Sequence, residues 1–208
     1  MMLATYSDEN DIFNTVDTPF FHVNKTVFLN NIDRLNTYIR DFNVSLRPHF
    51  KTIRSLGALD YLLVDKHSPI TVSTVKEAEA IVLKGYTNVL YAVGIVESKL
   101  GRIKDLNALG ANTIVLLDSV DQARSINNFC EENDCSISAL IEIDCDGHRG
   151  GLKPNDPLLI QVAKILDSGQ GEFLGILAHA GESYSCVDKA SLQKAAQNEV
   201  DQARLAVS

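Results

Sequence analysis

Lys51, in the run Leu46-Arg47-Pro48-His49-Phe50-Lys51-Thr52, has the greatest chemical reach of any residue in this chain. It follows the short apolar run Val44-Ser45-Leu46 and precedes a helical pattern, which puts it at the carboxyl end of a strand candidate. In α/β barrels that end carries the chemistry. A primary amine there can condense with a carbonyl to give a Schiff base, provided it is partly deprotonated, which burial in a barrel mouth would favour. The plain alternative is a solvated lysine in a βα loop, where most lysines are found. His49, two residues earlier, points to the same side as Lys51 because strand side chains alternate. It belongs either to the same site or to a hydrogen-bonded pair in the interior.

Three further groups have reactive or binding chemistry. Glu142-Ile143-Asp144-Cys145-Asp146-Gly147-His148-Arg149-Gly150-Gly151 sets acidic residues before a glycine-rich loop. Asp144, Cys145, Asp146 and His148 invite a metal reading, yet their spacing fits neither a standard zinc pattern nor a calcium loop. Arg149 is either a site cation or a partner of Asp144 or Asp146. Leu177-Ala178-His179-Ala180-Gly181-Glu182-Ser183-Tyr184 brings a histidine and a tyrosine to the end of another strand candidate. Ser73 and Thr74 end a third, although helix capping alone accounts for Thr74. Cys186 would need a nearby base to act as a nucleophile.

These residues are positioned by an alternation of short β-rich runs and amphipathic helices. Strand candidates are 45–49, 70–73, 89–92, 113–117, 139–143 and 173–178; helical periodicities fill 55–65, 75–84, 99–109, 120–132, 157–167 and 192–207. Thr74 with Glu77, and Ser119 with Gln122, have capping-box spacing. Pro157 suits a first helical position, and Gly85 and Gly110 suit helix ends. Strict alternation implies a parallel sheet, and equal unit lengths suggest a TIM-type (β/α)8 barrel. Six units are visible where eight are needed, so an incomplete barrel and a piece of a longer protein are expected. Upstream, 17–23 reads as an early strand, broken at its start by Pro19. Residues 24–42 read as a helix with Val27, Ile32, Leu35 and Ile39 on one face. Residues 1–16 read as a flexible tail and 17–208 as the domain.

Composition sets limits. The chain of 208 residues is 45% hydrophobic and 22% charged, with 27 acidic and 19 basic residues and a net charge of −8. No basic cluster with interleaved aromatics marks a nucleic-acid partner. No apolar stretch approaches the roughly 18 residues that span a bilayer. Residues 1–9 lack the basic start and apolar core of a signal peptide. The four cysteines (130, 135, 145 and 186) form no C-x-x-C pair, which fits reduced thiols in a cytoplasmic protein.

The order of Thr18-Pro19, a helix, and Arg47-Pro48-His49-Phe50-Lys51-Thr52 resembles the fold-type III pyridoxal-phosphate enzymes, the alanine racemase-like barrels. Thr71–Glu79, with its Glu77-Ala78-Glu79, Leu90–Val96 and the two motifs around Arg149 and His179 match in order. Within the family the set is most similar to the D-threonine aldolase and D-serine dehydratase group. The resemblance covers roughly 17–205. One departure is visible: the group often reads K-T-H-K where this chain has Lys51-Thr52-Ile53-Arg54.

The resemblance implies a Lys51 Schiff base to pyridoxal 5'-phosphate. His49, Ser73, Arg149, His179 and Tyr184 would line the cofactor, with Arg149 near the pyridine nitrogen, where its fixed proton weakens the ring as an electron sink. The implied activity is a lyase on β-hydroxy D-amino acids, by D-serine dehydration or D-threonine retro-aldol cleavage. A racemase, a non-catalytic cofactor-binding protein and an inactive fragment are the alternatives. The family also implies a homodimer when full length and a divalent ion, zinc or manganese, held in a C-terminal β-domain that this chain stops short of. Its small-residue phosphate loop has no counterpart in 185–208.

Overall fold

The structure, a computed structural model, describes residues 16–208. The expected tail at 1–16 therefore lies outside the described residues, save for Val16. Five parallel strands form one sheet in simple chain order: β1 (Ile70–Val72), β2 (Asn88–Gly94), β3 (Asn112–Leu117), β4 (Ile137–Ile143) and β5 (Gly171–Ala178). Among the described residues seven α-helices accompany them: α1 (Lys25–Arg40), α2 (Leu56–Leu62), α3 (Val75–Leu83), α4 (Leu100–Ala108), α5 (Val120–Asn133), α6 (Pro157–Asp167) and α7 (Lys189–Ala206). This is the βα alternation of the expected barrel, with the sheet left open.

The helices start where local chemistry starts them. Thr74 and Glu77 close a full capping box on α3. Ser119 accepts from the Gln122 backbone at the start of α5, but the Gln122 side chain accepts from the Ser119 hydroxyl, at 3.0 Å, rather than from its backbone N–H. It also spans outward, accepting from Asp118 N at 2.9 Å and donating to the Ile95 carbonyl at 2.8 Å. Asp156 caps α6 with Pro157 in its first turn, where a missing N–H costs nothing.

Alternation along the strands divides the sheet into two faces. One face carries Ile70, Val72, Val89, Tyr91, Val115, Leu117, Ala139, Ile141 and Ile143, all at or near zero exposure. With Ala78 and Ile81 of α3, Ile103 of α4, Ile126 of α5 and Val162 of α6, they make the main core. Each such aliphatic side chain contributes about 1.5–3 kcal/mol by burial. The other face carries Thr71, Leu90, Ile114, Leu116 and Leu140, and becomes polar toward the carboxyl ends of the strands.

Two strand expectations fail. Residues 45–49 form no regular strand, only a single parallel bridge between His49 and Thr71. Pro48 has no N–H to give and can only accept, from Thr71 N at 2.9 Å; the chain then winds into a 3-10 turn at Phe50–Thr52. Residues 17–23 are irregular and pair with no strand among the described residues. α1 forms as expected, but Val27 and Leu35 on its apolar face are 55% and 42% exposed, and none of its residues is fully buried.

Candidate active site

The polar face ends in a cluster. Ser73, Asp118, Asp144 and His179 each lie one residue beyond β1, β3, β4 and β5, and Glu142 is the last polar residue within β4. All share the face opposite the core. For β5 this depends on a bulge: Ala139 pairs with Phe173 but Leu140 pairs with Gly175, skipping Leu174. Gly175 has φ +132, a backbone state that side chains resist. The skip sets Leu177 opposite Glu142 and so turns His179 onto the site face; without it every later side chain would flip.

Lys51 sits on the 3-10 turn after His49. Its backbone N–H donates to His49 Nδ1 at 3.2 Å, while His49 Nε2 meets Ser73 Oγ at 3.2 Å. Glu77 Oε2 accepts from the Ser73 and Thr74 backbones, at 2.9 and 3.1 Å, and Glu77 Oε1 pairs with Arg54 at 3.2 Å. Burial first, then the Lys51 cation, pushes the His49 imidazole below its ordinary range. The expected burial of Lys51 itself is not found; the residue is exposed.

The loop after β4 is built by its acids. Asp144 Oδ1 accepts from the backbones of Gly147 at 2.9 Å and Arg149 at 3.2 Å. Asp146 Oδ2 accepts from Gly181 and Glu182, tying this loop to the one after β5; these N–H donors hold its carboxyl below the usual range. The acids thus serve backbone N–H groups. The Arg149 guanidinium lies instead on His179, with Nη2 3.1 Å from Nε2. Among the described residues no group of three or more His, Cys, Asp and Glu is placed to hold a metal ion. The loop then returns to β4: Leu152 N donates to the Glu142 carbonyl and Asp144 N to the Leu152 carbonyl, both at 2.9 Å.

Two residues not singled out from sequence belong here. Glu142 has a side chain only 14% exposed, with Oε1 3.7 Å from His179 Nδ1. Burial and Asp118 push its carboxyl upward, and Arg149 opposes them. Asp118 Oδ2 accepts from Gly151 N at 3.1 Å. Strand parity places both on the face opposite the core, Glu142 two residues from Leu140 and Asp118 two residues from Leu116. Tyr184 is not gathered in: it stands 81% exposed on the 3-10 turn Glu182–Ser185. Cys186 is beside it, its thiol 3.5 Å from the Glu182 carbonyl.

The carboxyl ends of this parallel βα sheet thus bring together an amine, two imidazoles and a guanidinium. Residues 23–207 match the alanine racemase N-terminal domain, and the chain belongs to that family. It is 36% identical over 190 residues to the D-threo-3-hydroxyaspartate dehydratase of Delftia sp. strain HT23, covering 91% of this chain and 50% of that one. The solved structure of that dehydratase superposes with a TM-score of 0.88 over 93% of this chain and 51% of its own. A C353A variant of it has been solved in a metal-free form. The D-serine dehydratase of Dictyostelium discoideum is 26% identical, covering 86% of this chain and 49% of its own. The D-threonine aldolase of Filomicrobium marinum superposes at a TM-score of 0.82 with 26% identity, covering 92% of this chain and 52% of its own. The chain spans about half the length of the curated relatives it matches.

Proposed function

We propose that this chain forms the lysine-bearing barrel part of a pyridoxal-phosphate-dependent lyase acting on β-hydroxy D-amino acids, by dehydration of the D-serine type or retro-aldol cleavage of the D-threonine type. The observation that carries the reading is the convergence of Lys51, His49, Ser73, Arg149 and His179 from four separate segments onto one end of the sheet. The relatives named as dehydratases and aldolase support the reaction class.

The donor set fits the cofactor in part. Lys51 offers the amine for a covalent link. His49, whose imidazole burial and Lys51 hold below its ordinary range, offers a ring wall, and the Ser73 hydroxyl beside it can meet a phenolic oxygen. Arg149 brings a permanent cation for the pyridine edge. When bound, the cofactor supplies an electron sink for cleaving bonds at the substrate α-carbon. The Lys51 amine would be the group that takes or returns the α-proton. The site leaves Tyr184 a role only if its loop folds inward. Phosphate binding, a divalent zinc or manganese ion and a homodimeric site are assigned to the full-length protein.

The test is the visible spectrum of the chain with pyridoxal phosphate, beside Lys51→Ala. A band that depends on Lys51, resists dialysis and becomes a borohydride-fixed adduct at Lys51 is expected. No such band from the folded full-length protein would refute the cofactor reading. A band without turnover of D-serine, D-threonine or D-threo-3-hydroxyaspartate, in the full-length protein with zinc or manganese, would leave a cofactor-binding protein and refute the lyase.

A further inference from the structure

We propose that Asp146 is a positioning residue: its carboxylate clasps the loop after β5 to the loop after β4 and so keeps the Arg149 guanidinium laid over the His179 ring. The two side chains come from different strands, and their contact does not fix itself. Arg149 Nη2 stands 3.1 Å from His179 Nε2 and 3.5 Å from Nδ1, so the guanidinium faces the ring rather than one lone pair. Stacking of that kind suits a planar cation but lacks the directionality of an in-line hydrogen bond. Among the described residues no carboxylate stands at ion-pair distance from this guanidinium. The backbones must therefore set the geometry.

Asp146 spans the same gap as the stack. It lies three residues before Arg149, and Gly181 lies two residues beyond His179. Its Oδ2 accepts from the backbone N–H groups of Gly181 and, at 3.1 Å, of Glu182. Oδ1 is buried without a partner among the described residues, so all of the carboxylate's pairing crosses between the loops. Hydrogen bonds to an ionised acceptor are roughly twice as strong as neutral ones. Gly181 is also what Arg149 rests on: a Cβ there would stand 2.9 Å from Nη1 and 3.1 Å from Cδ. The residue that Asp146 holds by its N–H is thus the residue that backs the guanidinium.

The other ties here do not replace it. His148 Nε2 is 3.3 Å from Glu182 Oε1, but both side chains are about half exposed, where an ion pair contributes little. Asp144 Oδ1 acts within its own loop, on Gly147 and Arg149. Without the Asp146 carboxylate, Gly181 is free to move off and the guanidinium loses its backing. Lys51 and His49, held against β1 and Ser73, keep their contacts.

The inference rests on the proposed lyase only in treating this end of the sheet as its site; the readout needs neither cofactor nor turnover, so the two can fail separately. The experiment titrates the His179 ring by proton–carbon correlation in full-length protein carrying 13C at histidine Cε1. Hydroxylamine treatment and dialysis free every variant of bound aldehyde, and His179→Gln assigns the signal. The result is a matter of sign. Burial first, then Arg149 and Lys51, push the His179 imidazole below its ordinary range, and Asp146 pushes it up. Loss of the Asp146 charge alone would lower it further, whereas release of Arg149 raises it. Asp146→Ala is therefore expected to titrate higher than wild type. Asp146→Asn, which keeps an accepting oxygen, should titrate no higher than wild type. Gly181→Ala, at a φ of −125 that alanine accepts, displaces the guanidinium from the other side and should also titrate higher. It carries the test alone if circular dichroism shows Asp146→Ala unfolded. In an Arg149→Gln background neither change should raise the value. An unchanged or lowered His179 in the folded Ala variants, an equal rise in Asp146→Asn, or a rise that persists without Arg149 would overturn the assignment.

Discussion

Gly151→Ala tests whether the loop after β4 is clamped as tightly as its backbone contacts imply. An added Cβ would lie 2.7 Å from the Ile143 carbonyl carbon, 2.8 Å from Asp144 N and 2.8 Å from Glu142 O. These are backbone atoms of β4 and cannot swing aside like side chains. Gly151 also has φ +112, a region that costs an alanine about 1–3 kcal/mol. Relief requires the loop to lift off β4, breaking the two bonds through Leu152, at about 0.5–1.5 kcal/mol each. The sum is a destabilisation of roughly 2–6 kcal/mol. Urea unfolding followed by circular dichroism measures it; at a slope of about 2 kcal/mol per molar, the midpoint should fall by roughly 1–3 M. A midpoint within about 0.3 M of wild type at unchanged slope would mean that the loop is not packed on β4 as described. The reasoning about Arg149, which the same loop carries, would fall with it.

Two other measurements follow from the titrating groups. His49 and His179 are depressed in the folded chain, so between their folded values and the ordinary value near 6.5 the unfolded chain binds more protons, and their contribution to stability is lost as pH falls through that window. Glu142, whose carboxyl is raised, acts with the opposite sign above its ordinary value. Urea midpoints at about pH 7.5 and 5.5 should therefore differ less in His179→Gln than in wild type; an equal or larger difference would mean that folding does not lower the His179 imidazole. Cys130 is fully buried, and its thiol is pushed up to about 12 by burial first and Cys135 second. Because the thiolate is the reactive form, iodoacetamide should modify Cys186 well before Cys130 in folded protein. Peptide mass spectrometry showing equal rates would indicate a core that opens.

The elements that write their packing into local pattern were legible. β3 and α6 were placed within a residue of their ends, because a run such as Thr113-Ile114-Val115-Leu116-Leu117 buries both faces and Asp156-Pro157 fixes a start. Residues 45–49 had the composition of a strand, but strand status depends on partners, and Pro48 spends its one backbone group as an acceptor to β1. The apolar face of α1 was readable, but not that Val27 and Leu35 on it would stand largely exposed. At the site, Lys51, His49 and Arg149 were visible as reactive types in suggestive places. Glu142 and Asp118 were not, since a carboxylate at a strand end is ordinary until its face is known. Nor could spacing reveal that the Asp144 and Asp146 oxygens would be taken up by backbone N–H groups.

The sheet runs β1-β2-β3-β4-β5, each strand paired with the next in the chain. No strand waits for a segment more than one βα unit downstream to find its register. Synthesis of the 208 residues takes roughly 10–40 s at about 5–20 residues per second, while a helix or a local strand pair forms in microseconds to milliseconds. The core can therefore be laid down in the order the ribosome delivers it, from Ile70 toward Ala178. Of these five strands β5 is delivered last, and its bulge turns His179 onto the site face, so that side chain joins the site after the core beneath it has been laid down.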